Sequence, residues 1–165
     1  PKKPEPDCSK QEEAVAAAQS DVKAAEAELT EIQQEVQATK DRVAEVKKGI
    51  QWAQQGIDEL KEMIAEDNAA IDYARKQIEG PWYGRKNTLY YQHTIKDRQK
   101  MIRESEIKLK NIVETELKPF REELSELTQT LSQLEQKAAE AAKTLEDQKS
   151  KLAEAQSTLG ACQDR

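Results

Sequence analysis

Ten apolar residues, Val15, Val22, Leu29, Val36, Val43, Ile50, Ile57, Ile64, Ile71 and Ile78, follow one another at intervals of seven. Between them Ala18, Ala25, Ile32, Thr39, Val46, Ala53, Leu60, Asp67 and Ala74 occupy the fourth place of each heptad. A helix lying on a globular core shows a wider stripe with a period near 3.6 residues, whereas a narrow seam kept strictly in phase is the pattern of a coiled coil. The composition agrees. With 36% hydrophobic and only 4% aromatic residues against 35% charged, the chain lacks the apolar volume for a thick core.

The first arm is expected over 9–79, roughly 105 Å at a rise of about 1.5 Å per residue. Ahead of it, PKKPEPD reads as an extended tether (1–8), because proline removes a backbone donor and disfavours helix in the residue before it. Ser9, with Glu12 three residues on, has the pattern of a capping box. Gly80, Pro81 and Gly84 end the arm and make 80–87 a hairpin tip. Asn87 or Thr88 can then cap a second arm over 88–160, leaving a short tail at 161–165.

The second seam starts with Tyr91, Ile95, Arg98, Ile102, Ser105, Leu109 and Ile112. It resumes one residue out of phase at Val113 and continues through Leu117, Phe120, Leu124, Leu127 and onward to Leu159. An irregularity is therefore expected near 112–120, and Pro119 suggests a bend there.

The expected fold is all-α, a long antiparallel two-helix coiled-coil hairpin. Cys8 and Cys162 both fall in the seam, and the residue midway between them lies in the Gly/Pro break. If the chain reverses there, residues whose numbers add to about 170 face one another. Ala18 then meets Leu152, Ala25 meets Leu145, and Leu29 meets Ala141, so large faces small. Lys40 to Lys48 come opposite Glu122, Glu123 and Glu126, and Glu66, Asp67 and Asp72 opposite Lys96, Arg98, Lys100 and Arg103. Pro119 comes to the height of Gly49, Trp52 and Gly56, where Trp52 is expected to pack in the irregular zone or to mark a contact on the flank. The alternative fold is a four-helix bundle with extra turns near Gly49 and Pro119.

Facing seam cysteines can meet the Cα spacing of a disulfide, so a Cys8–Cys162 bridge is predicted. Such a bridge implies an extracytoplasmic setting: periplasm, cell surface or secretion. Zinc would need four ligands, and two cysteines without CxxC spacing do not provide them; no metal and no cofactor are expected. Asp67 and Arg98 are read as a polar seam layer that sets register. His93, the only histidine, is read as a solvated helix-surface residue. A formal charge of −6 argues against nucleic acid as the main partner, and no apolar run is long enough for direct membrane insertion.

Catalysis has no support in the residues. There is no nucleophile motif, no Gly-rich phosphate loop and no His–carboxylate cluster, so a non-enzyme is expected. What the seam leaves over is the tip. Trp82, Tyr83, Arg85, Lys86 and Tyr90 are of the types enriched in interface hot spots, while Trp82 and Tyr91 could equally plug the last apolar layer at Ile78. The function expected is a rigid coiled-coil spacer or interaction module that holds a protein partner at this tip. The alternatives are a self-assembling structural protein, hence a homo-oligomer, or a holdase-type chaperone that grips clients between its arms.

Overall fold

The computed structural model describes residues 1–79 and 85–165, the side chains of Arg85 and Lys86 excepted. The chain is an all-α helical hairpin. Helix α1 spans Ser9–Glu79 and helix α2 spans Arg85–Ile112. A π-helical turn, Val113–Leu117, then leads directly into helix α3, Lys118–Gln163. The four-helix alternative is overturned, because α1 passes through Gly49 as helix and the second arm passes Pro119 without a chain reversal. Helix α2 opens at Arg85, so residues 85–87, expected in the tip, belong to the second arm.

The first turn of α1 is capped differently from the expected box. Asp7, not Ser9, supplies the acceptor: its carboxylate takes the Ser9 backbone N–H at 3.1 Å and also the Ser9 hydroxyl. The Glu12 N–H donates to the Cys8 carbonyl at 3.0 Å, the first bond of the helical ladder. An acidic group two residues before the helix also suits the positive end of its dipole. Thr39, a hydroxyl in the seam, donates to the Glu35 carbonyl at 2.8 Å, so its polar group is satisfied within its own helix.

Two compact units divide the chain, one of residues 1–42 with 127–165, the other of residues 43–126. In the first, Val22, Ala25 and Leu145 form a buried cluster with Leu29 and Leu152 packed against it. Ala25 and Leu145 thus share a layer, the small-against-large match expected of close antiparallel helices. Lys40 Nζ lies 3.7 Å from Glu135 Oε1 across the same pair, with both side chains about half exposed. Solvent and salt hold such a pair below about 1 kcal/mol.

In the second unit Ala53, Ile57 and Leu117 are buried together, with Ile50, Leu109, Ile112 and Val113 around them. The one-residue slip of the sequence lies in this cluster and has a simple physical form. The Lys118 N–H donates to the Val113 carbonyl, five residues back in place of four. A π turn inserts one residue without breaking the helix, and this returns Leu117 to the buried face after Ile112. Pro119 follows at once, so its absent N–H falls where the ladder is already changing register. The irregularity expected near Pro119 is therefore an inserted residue in the turn before it.

Candidate functional site

Cys8 and Cys162 form a disulfide, with Cα atoms 5.9 Å apart and both residues buried. It joins the start of α1 to the end of α3 within the first unit, across 154 residues of sequence. The carboxylate of Asp7, next to this bridge, is held below its ordinary value of 3.8 by the Ser9 hydroxyl first and the Ser9 N–H second.

Asp67 is almost completely buried, and its Oδ1 accepts a hydrogen bond from Arg98 Nη1 at 2.8 Å. The Arg98 side chain stays 41% exposed. The arginine reaches from the seam edge to neutralise a carboxylate that burial would otherwise make costly. Ser105 is a second buried polar residue of this unit.

Trp82 and Tyr83 lie outside the described residues, as does the proposed plug over Ile78 by Trp82. Arg85 and Lys86 form the first positions of α2. Tyr90 is 67% exposed, and its ring meets that of Tyr91 edge-on at 5.2 Å. Tyr91 in turn meets Tyr73 of α1 edge-on at 6.3 Å. Edge-to-face contact satisfies the ring quadrupoles, so these three tyrosines are a connected aromatic row joining the two arms.

On α2, Leu89, Gln92, His93, Ile95, Lys96 and Gln99 line an open groove of about 600 Å³. His93 is exposed and lies 3.4 Å from Asp97 Oδ2 one turn on, in keeping with a solvated surface residue.

Sequence reasoning missed Tyr73 and Leu89, which are 59% and 60% exposed. The available signal was phase: both fall off the seam, Leu89 at the heptad position of Lys96, Arg103 and Lys110, and Tyr73 at that of Glu59 and Glu66. Trp52 requires a correction. It is 73% exposed beside Gln51, Gln55 and Asp58 and does not pack into the zone around the π turn, because its heptad position points away from the seam.

Among the described residues no group of three or more His, Cys, Asp or Glu is placed to hold a metal ion. No described helix is long and apolar enough to cross a membrane.

These features define a class, a disulfide-closed antiparallel helical hairpin. A protein-family profile, the cytoplasmic repetitive antigen (CRA) like repeat, matches residues 124–159. The matched stretch is less than a quarter of the chain and lies wholly on α3, where Leu, Ala, Glu and Gln recur around the seam. It marks similarity to a helical repeat. No curated protein and no solved structure matches the chain.

Proposed function

We propose that this chain is a non-enzymatic interaction module or spacer, which works outside the cytoplasm and takes a protein partner at the chain reversal. The observation that carries the reading is the contrast in how apolar residues are used. The seam consumes most of them; Trp52, Met63, Met101 and Ile107 are exposed along the arms, whereas Tyr73, Leu89 and Tyr90 are exposed together on the helices that flank residues 80–84. Exposed aromatics that cluster in this way serve contact with a partner. Trp82, Tyr83, Arg85 and Lys86 add residues of the same kind from the sequence. The Cys8–Cys162 bridge supports an oxidising compartment. The helical repeat similarity over 124–159 is compatible with a structural or interaction role.

A Trp82→Ala, Tyr83→Ala double variant tests the reading against the intact chain. Loss of a captured partner, with helicity and melting temperature unchanged, is the expected result. Unchanged capture would sink it, and a large fall in melting temperature would assign these aromatics to closing the turn.

A further inference from the structure

The charge around the reversal is opposite to that of the chain as a whole. From Tyr73 to Lys96 there are five cations, Arg75, Lys76, Arg85, Lys86 and Lys96, and one acid, Glu79, in a protein whose net charge is −6. Asp72 and Asp97 border this stretch, and Asp97 is engaged by His93 at 3.4 Å. Arg75, Lys76 and Lys96 are exposed and make no ion pair among the described residues. Arg98, by contrast, is held by Asp67. Lys96 lines the α2 groove together with the apolar Leu89 and Ile95, and Arg75 and Lys76 lie on α1 within three residues of exposed Tyr73.

From this juxtaposition we infer that the surface flanking the reversal binds an acidic, apolar-bearing polypeptide segment of another protein. Leu89, Ile95 and the tyrosines would take its apolar side chains, and Arg75, Lys76 and Lys96 its carboxylates. Gln92 and Gln99, which also line the groove, offer amides that can both donate to and accept from a polypeptide. A second copy of this chain fits less well, because two bodies of −6 repel as they approach. The inference rests on the proposed partner-binding function and adds the chemistry of the partner.

The test uses the intact oxidised chain and four probes: a Glu/Leu amphipathic peptide, its Lys/Leu counterpart, phosphatidylserine vesicles and single-stranded DNA. The expected result is binding of the Glu/Leu peptide alone, weakened by added salt through screening and about tenfold by an Arg75→Glu, Lys96→Glu double variant that keeps its helicity. Binding to no probe, preference for the Lys/Leu peptide, or binding to vesicles or DNA in place of the peptide would overturn it. So would salt-sensitive self-association that the double variant abolishes, since the occupant is then a second copy. A partner captured through Trp82 and Tyr83 whose binding ignores salt and the charge reversals would overturn this inference and leave the proposed function standing.

Discussion

The Phe120 ring lies so close to Gly49 that a methyl group on that glycine would stand 2.9 Å from two of its ring carbons. The contact joins the arms just beyond the π turn, and it explains a glycine in the middle of a long helix, where the residue is otherwise a cost. Gly49→Ala gains about 0.5–1 kcal/mol of helix propensity but must displace an aromatic ring, which costs about 1–3 kcal/mol. A net loss of roughly 1 kcal/mol is expected in urea titration. Gly56→Ala is the internal control, since its nearest neighbour would be Ile112 Cδ1 at an ordinary 3.5 Å. That variant is expected to gain about 0.5–1 kcal/mol, and a loss of the same size as for Gly49 would refute the steric account.

Removal of one residue should be tolerated at a single place in the second arm. Deleting Thr115 from the π turn leaves Leu109, Ile112, Leu117 and Phe120 in an unbroken heptad. Helicity and melting temperature are expected to hold or rise. Deleting Gln129 from α3 shifts every later seam residue off the buried face and should lower the melting temperature sharply. Equal effects of the two deletions, by circular dichroism, would contradict the role assigned to the turn.

Arg98→Ala leaves the buried Asp67 carboxylate without its 2.8 Å donor, at a cost of about 1–3 kcal/mol. Replacing both residues with leucine removes the charge together with its partner. That double variant is expected to match or exceed the parent in stability, because apolar packing of similar volume often outperforms a buried ion pair. A double variant as unstable as the single one would show that the layer contributes more than mutual neutralisation.

Replacing Cys8 and Cys162 with alanine frees the chain ends over a long loop and should cost about 2–5 kcal/mol in the chain-entropy view. The loss belongs to the first unit. Hydrogen exchange is expected to speed up over residues 9–25 and 145–162, while the amides around Asp67 and Arg98 keep their protection. Uniform acceleration would mean that the bridge stabilises the chain globally.

The Asp7 cap makes the start of α1 sensitive to acid. Since hydrogen bonds from Ser9 lower the folded-state pKa of this carboxyl, its contribution is fully present above 3.8 and fades as pH falls through the lower folded value. Protection of the Ser9 amide, taken relative to its intrinsic exchange rate at each pH, should fall below that value in the parent and stay constant in Asp7→Asn, which keeps an oxygen acceptor but cannot ionise.

Much of this was written in the linear chain. The heptad at Val15 to Ile78 specified a helix with one buried edge, the Gly80–Pro81–Gly84 break specified a reversal, and the symmetric placement of Cys8 and Cys162 about that break specified which residues meet. Periodicity and reversal are one-dimensional properties, so composition and spacing suffice to state them. The slip between Ile112 and Val113 was legible as a discontinuity, but its form was not. A bend at Pro119 and an inserted π residue leave the same trace in the spacing, and only the Lys118 bond to Val113 distinguishes them. The cap passed from Ser9 to Asp7 because Ser9 is already helical: its N–H, one of the first-turn donors without a helical partner, goes to Asp7, and the Glu12 N–H goes to the Cys8 carbonyl. Trp52 outside was already legible in its heptad position, whereas Gly49 beneath Phe120 and Tyr73 joined to Tyr91 were decided by tertiary structure, since each depends on which side chain the opposite helix brings alongside.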